Sequence, residues 1–281
     1  MKFGVSIFNT EYSIRIDELA RGLEERGFES LWLPEHTHIP KSRKSPWPGG
    51  PHLPKEYWHT LDPFVSLATA AVVTTRLKLA TGICLVVERD PITTAKEVAS
   101  LDLLSQGRFL FGIGGGWNAE EMENHGTDFT KRWRVLRERI LAMKEIWTKD
   151  EAEFHGQFVN FDPIWAYPKP VQKPHPPIIL GVNTPNARQR VVEYCDGWLP
   201  IAARAGDLTA GVADLRDRAK RAGRDPNSLT VSVFSATPTE EALRQYQNSG
   251  AERAIFPLPS SGRDEILPIL DRLAKLTQAF Y

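Results

Sequence analysis

Hydrophobic positions along this chain switch repeatedly between two periods. Lys2 to Ile7 alternates, putting Phe3, Val5 and Ile7 on one face, and Ile16, Leu19, Ala20 and Leu23 follow at helical spacing up to Gly27. Alternation predicts a strand, the three-to-four spacing a helix, and the glycine its end. The same pair recurs downstream. Ser30–Pro34 reads as a second strand, and after a long polar loop Phe64, Leu67, Ala68 and Ala71 form the next helical stripe. Leu77–Val87 predicts a third strand that overruns its neighbours, with Ile92, Ala95, Ala99 and Leu103 as the third stripe behind Pro91, a residue favoured in a first helical turn. Arg108–Ile113 is the fourth strand, and Trp133, Leu136, Ile140, Met143 and Trp147 line one side of a long helix.

From Asp150 to Pro177 the pattern breaks: Phe154-His155-Gly156-Gln157-Phe158 predicts a hairpin turning near Gly156, followed by a proline-rich stretch. Alternation of strand and helix then resumes with strands at Ile178–Val182, Gly197–Ile201, around Val231 and at Ala254–Leu258. Leu208, Val212, Leu215 and Ala219 pattern one of the intervening helices, and Ile266, Ile269, Leu270 and Leu273 the last. Eight strand-then-helix units with nearly continuous apolar strands imply a parallel sheet covered by helices, and eight strands close a barrel. The expected fold is therefore α/β, a (β/α)₈ barrel formed as one domain over residues 1–281, with insertions after strand two and between strands four and five. An open doubly wound sheet is the alternative. In a barrel, functional groups gather at the C-terminal ends of the strands.

Composition narrows the partners. Thirty-five basic residues balance thirty-five acidic ones, so no global field attracts nucleic acid or an anionic membrane. No apolar run is long enough to span a bilayer. Two cysteines, Cys84 and Cys195, far apart, together with a start that lacks a basic-then-apolar leader, predict a cytoplasmic protein. A small molecule is the expected partner.

Candidate chemistry sits at the strand ends. After strand two comes Pro34-Glu35-His36, and a loop reaching Leu61 carries Trp47, Trp58 and His59. An imidazole at a strand end suits proton transfer, or His36 merely hydrogen-bonds the loop. The spacing His36-x-His38 admits a metal-dependent hydrolase, but the ends of strands five, six and eight offer no further ligand. Strand four runs into Gly114-Gly115-Gly116-Trp117, where backbone can approach a flat ligand or simply turn tightly; the glycine spacing does not make a dinucleotide fingerprint. Strand five leads through Gly181-Val182-Asn183-Thr184-Pro185 into a helix whose first amides suit a phosphate, with capping by Thr184 as the plainer reading.

Taken together, Leu33-Pro34-Glu35-His36, Leu79-Ala80-Thr81-Gly82-Ile83, Gly107-Arg108-Phe109, the segment Gly112 to Glu121, and Asp196-Gly197-Trp198 resemble the luciferase-like flavin- and F420-dependent oxidoreductases over nearly the whole chain. The resemblance implies a cofactor ring across the barrel mouth. Behind that ring lies a bulge after strand three, often with a non-prolyl cis peptide, here matching Gly82–Ile83; Asn183 and Thr184 match the phosphate turn, and His36 matches a histidine at the reactive part of the ring. It implies an F420-dependent oxidoreductase, with an FMN-dependent monooxygenase as the alternative, and a homodimer. A barrel that binds cofactor without turnover is a third class. Sugar-phosphate dehydrogenases of the family carry an acid where this chain has Trp117, so the expected substrate is instead apolar or aromatic, in a pocket with Trp47, Trp58 and His59. Lys41, Arg43 and Lys44 offer charges for the acidic tail of F420.

Overall fold

The computed structural model describes residues 1–280, apart from the side chain of Pro185. In chain order its strands are β1 (Lys2–Ser6), β2 (Ser30–Leu33), β3 (Lys78–Thr81), β4 (Phe109–Ile113), β5 (Glu151–His155), β6 (Asn160–Trp165), β7 (Ile178–Leu180), β8 (Gly197–Trp198), β9 (Thr230–Phe234) and β10 (Arg253–Pro257). All but β5 and β6 close into a parallel barrel in the order β1-β10-β9-β8-β7-β4-β3-β2, as the eight repeated units predict. The helices are α1 (Ile16–Glu25), α2 (Glu56–His59), α3 (Pro63–Val73), α4 (Pro91–Leu104), α5 (Ala119–Asn124), α6 (Arg132–Thr148), α7 (Pro185–Tyr194), α8 (Leu208–Arg221), α9 (Glu240–Asn248) and α10 (Arg263–Thr277).

Alternation along the strands divides the core. Leu31 and Leu33 face the helices, while Trp32 points inward with Ala80, Leu110, Ile179, Leu199 and Ile255 and fills the barrel. The indole N–H of Trp32 donates to Ser30 Oγ at 2.9 Å, which satisfies a polar atom in an apolar interior. So large a filler needs small neighbours. A Cβ on Gly112 would stand 2.0 Å from the Thr81 carbonyl oxygen and 3.3 Å from the Trp32 ring.

Helix starts follow their residues. Asp62 caps α3 by accepting from Val65 N–H at 3.0 Å, and Asp90 caps α4 by accepting from Thr93 N–H at 2.8 Å, each followed by proline. The hairpin is found as predicted, with β5 and β6 antiparallel around the Gly156 turn. No described helix is long and apolar enough to cross a membrane.

Two elements depart from the pattern reading. The third strand does not run to Val87: β3 ends at Thr81, the Gly82–Ile83 peptide is cis, Cys84 rejoins Ile113 through a single bridge, and a 3₁₀ turn spans Val86–Glu88. Cys84 to Val87 are all buried although they leave the sheet, so their apolar run mimicked a strand. In α4 the buried face is Ala95, Val98, Ala99 and Leu101, whereas Ile92 and Leu103 are exposed.

Gly112→Ala should lower the stability of the barrel by at least about 2 kcal/mol, because a methyl group against neighbouring backbone cannot be relieved by a rotamer change. Urea denaturation with an unchanged midpoint would refute this close packing.

Candidate active site

A cavity of about 360 Å³ opens at the C-terminal mouth of the barrel. Its wall is mainly apolar, with Ile7, Phe8, Ile83, Leu85, Trp117, Leu199, Phe234 and Leu258 contributed by loops after most of the strands. The charged residues on the lining are Glu35, His36 and Arg204.

Glu35 is spent on architecture. Its buried carboxylate accepts the Leu85 N–H at 2.6 Å and the Arg89 Nε–H at 2.5 Å. Arg89 also meets Asp62 at 2.6 Å and Glu97 at 2.9 Å, tying the loop after β2 to the bulge after β3 and to α3 and α4. The next residue, His36, is thereby aimed at the cavity. Its Nδ1 lies 2.7 Å from Glu121 Oε2, and its ring stands 5.3 Å from Tyr57 and 5.8 Å from Trp117, centre to centre. A carboxylate on Nδ1 orients the ring and leaves Nε2 for exchange with a ligand.

Helix α5 serves the site through two adjacent acids. Asn118 caps it, Glu121 holds His36 on the inner side, and Glu120 accepts the Ser45 N–H at 2.7 Å and the Lys44 N–H at 3.3 Å on the outer side. Those bonds, with that of Ser42, hold Glu120 down at about 2 and fasten the long loop over the mouth. Burial pushes the Tyr57 phenol up, which keeps it neutral beside His36.

Behind the wall, Glu88 is pushed up to about 9 by burial, then by the charges of Glu121 and Glu35. Among the described residues both its carboxyl oxygens are buried without a hydrogen-bond partner, as is Glu121 Oε1.

Of the residues singled out from sequence, His36, Gly82, Ile83, Gly116, Trp117 and Gly181 line the cavity. Gly114 and Gly115 lie just behind it, where a Cβ would strike Ile83 at 2.5 Å and Trp133 at 2.7 Å. Val182 accepts the Trp198 indole N–H at 2.6 Å. Asn183 exchanges bonds with the Ile201 backbone at 3.1 and 3.3 Å, and Thr184 is exposed and makes no side-chain cap bond, so capping is not its role. Trp47 is set one ring back, 5.6 Å from Tyr57. Trp58 and His59 are absent from the lining: Trp58 is 50% exposed, and His59 Nδ1 turns to Glu11 at 2.6 Å. The short helix α2 directs Tyr57, not its two successors, inward. His38 does not converge with His36 but packs beside His125 at 5.5 Å, and among the described residues no three His, Cys, Asp or Glu side chains form a metal-ligating group.

Sequence reasoning missed Tyr57, Glu121, Arg204 and a pair of arginines near the glycine loop. Arg190 of α7 lies 4.3 Å from the Trp133 ring and Arg132 5.6 Å from it, with Trp133 against Gly115. Among the described residues neither guanidinium forms an ion pair, and Arg132 Nε is buried without a partner. Burial and the charge of Arg190 push Arg132 down.

A family model described as luciferase-like monooxygenase matches residues 1–266. An uncharacterised protein of Mycobacterium tuberculosis is 39% identical, covering 98% of both chains. The F420-dependent hydroxymycolic acid dehydrogenase of the same organism is 27% identical over 85% of this chain and 64% of its own. An FMNH(2)-dependent dimethylsulfone monooxygenase of Pseudomonas putida is 31% identical over 55% of this chain and 43% of its own. Among solved structures, the monooxygenase RslO1 of Streptomyces bottropensis superposes with a TM-score of 0.82 at 21% identity over 100% of both chains. The F420-dependent tetrahydromethanopterin reductase of Methanopyrus kandleri gives 0.78 at 17% identity over 100% of this chain and 99% of that one.

Glu88 has a consequence for stability. A carboxyl whose folded pKa is about 9, against an ordinary 4.5, is still protonated when the unfolded chain has ionised. Its contribution is therefore full below pH ~4.5 and is lost as pH rises toward ~9, at up to about 1.4 kcal/mol per unit. Glu88→Gln should remove that slope, so that the variant gains on the parent progressively across this window. Parallel denaturation curves at every pH would contradict it.

Proposed function

The chain belongs to the luciferase-like monooxygenase family, and from that premise we propose that it is an F420-dependent oxidoreductase that moves a hydride between the deazaflavin and a small organic substrate with an apolar or aromatic body. One observation carries this reading: an imidazole held by a buried carboxylate at the edge of an apolar cavity. Oxidising an alcohol, or reducing a carbonyl, moves a proton as well as a hydride, and His36 is placed to take or give that proton at Nε2.

The residues present fit the cofactor. Gly82, Gly116 and Gly181 keep the cavity wall open where side chains would narrow it: a Cβ on Gly82 would meet Phe234 at 3.0 Å and one on Gly181 would meet Ile83 at 2.8 Å. Ile83 supplies an apolar surface for a flat ring, and Trp117 and Tyr57 close the substrate side. When bound, F420 would supply the hydride acceptor or donor. For its phosphate, Thr184 and the first amides of α7 are the proposed cradle. Asn183 braces that turn through its bonds to Ile201. Arg190 and Arg132 add positive charge from the side of the glycine loop.

The relative that uses F420 aligns with 85% of this chain and the FMNH(2)-dependent one with 55%, which supports F420 as the first choice. FMN with oxygen chemistry is the second reading, supported by the latter relative's 31% identity.

Binding titrations should show F420 held much more tightly than FMN. His36→Ala should keep that binding and lose about 10²–10⁴-fold in single-turnover rate on a substrate found by screening. A preference for FMN would move the protein to the monooxygenase reading, and lost binding in a folded His36→Ala protein would make His36 a cofactor anchor. A separate titration tests the phosphate cradle: Thr184→Glu sets a negative charge against the anionic phosphate and should weaken cofactor affinity about tenfold or more. Equal affinities would place the phosphate on other loops.

A further inference from the structure

The His36–Glu121 pair faces a cavity that a bound cofactor and substrate would seal. Side-chain exposure is 7% at His36 and zero at Glu121, so a proton arriving there needs a way out. On the far side of the wall lies Glu88. Its side chain is 1% exposed, and Oε1 would be 4.0 Å from a Cβ placed on Gly116, the glycine that lines the cavity. Beyond it, His125 Nε2 stands 4.0 Å from Glu88 Oε2, with a side chain that is 29% exposed. Exposure thus rises outward beyond Glu121. Among the described residues Glu121 Oε1 and both oxygens of Glu88 have no hydrogen-bond partner, an arrangement that costs stability and that leucine would avoid.

We propose that Glu88 and His125 form the outward half of a proton path that joins the His36–Glu121 pair to solvent behind Gly116. The inference rests on the reading of His36 as the proton-transfer group. For an alcohol substrate, His36 takes the hydroxyl proton at Nε2 and releases its Nδ1 proton to Glu121 Oε2. Glu88 passes its proton to His125 Nε2, takes the one leaving Glu121, and His125 delivers its own to water. Each group returns to its starting charge, the two imidazoles as the opposite tautomer until ring rotation or proton exchange with water resets them; one proton has crossed, and nothing in the path is oxidised or reduced. Carbonyl reduction runs the same steps inward.

The electrostatics favour the inward run, because Glu88 holds a proton more firmly than His125 does. Glu88 is faced by Glu121 from α5, Glu35 from the loop after β2, the adjacent Arg89, and Arg139 from α6; burial and the two acids keep its proton on. His125 is pushed down by burial and by His38, with Glu121 and Glu35 opposing, so it gives up a proton more readily than Glu88 does. Thr37 Oγ1, 2.7 Å from His125 Nε2 and 2.9 Å from His38 Nδ1, orients the outer ring.

Two readouts test the path. Infrared spectra of the cofactor-free protein at pH 7 should contain a carboxylic-acid carbonyl band that disappears in Glu88→Gln; a band that persists unchanged overturns the proposal whatever the cofactor proves to be. Single-turnover rates with the cofactor that binds should fall about tenfold or more in Glu88→Gln and His125→Ala, with cofactor affinity unchanged, and the pH profile should lose its dependence on the outer group. Added imidazole should restore His125→Ala, since a free base can replace a surface relay but cannot repair packing. Normal rates in both variants, or failure of imidazole to restore the second, would overturn the path while leaving the assignment of His36 to stand or fall on His36→Ala.

Discussion

The site depends on one buried ion pair, Glu35 with Arg89. Glu35 takes the Leu85 N–H with one oxygen and Arg89 with the other, and Arg89 reaches on to Asp62 and Glu97. Four segments therefore meet at one ion pair: the loop after β2, the bulge after β3, the start of α3 and the second turn of α4. Neighbouring acids hold Arg89 above the ordinary arginine range, so its charge is permanent. Desolvating such a pair is expensive, and apolar replacements often stabilise more, so its value lies in direction rather than in energy. It fixes where residue 36 points and where Ile83 turns into the cavity. Breaking one partner would leave the other charged and buried, which costs more than removing both.

The barrel was legible because its strands are buried on both sides or alternate cleanly, and because eight units repeat. The third strand misled for the same reason. Residues Cys84 to Val87 are all buried, and a buried 3₁₀ turn is as apolar as a buried strand. Periodicity reports burial, and burial is shared by every element packed under a barrel mouth. In α4 the exposed Ile92 and Leu103 shifted the apparent stripe, since apolar residues on a surface are common and pattern alone cannot tell which side faces inward.

The site was legible where backbone position decides it and hidden where side-chain direction does. His36, Ile83, Gly116 and Trp117 follow directly after strands, so topology carries them to the mouth. Within Tyr57-Trp58-His59 only one of three consecutive aromatic rings can face inward, and nothing in their identities says which. Glu121 was hidden among the acids of α5, although its neighbour Glu120 is a surface staple; a helix turns by about 100° per residue, so adjacent acids must do different work. Arg132 and Arg190 meet over Trp133 from two helices far apart in the chain, a proximity that only the folded barrel creates.

Charge around the cavity is sorted rather than mixed, although the chain as a whole is neutral. Glu35 is matched by Arg89, Glu88 keeps its proton and Glu121 holds His36, while Arg132 and Arg190 stand beside the glycine loop and Arg204 lies on the lining. Among the described residues none of the last three arginines forms an ion pair, so their field is not cancelled locally. An apolar cavity between them focuses that field, because low-dielectric walls screen it weakly. A molecule with an anionic end and an uncharged ring is then oriented before any specific contact forms, anion toward the arginines and ring toward His36. The placement of these arginines follows from which helices the barrel order brings side by side.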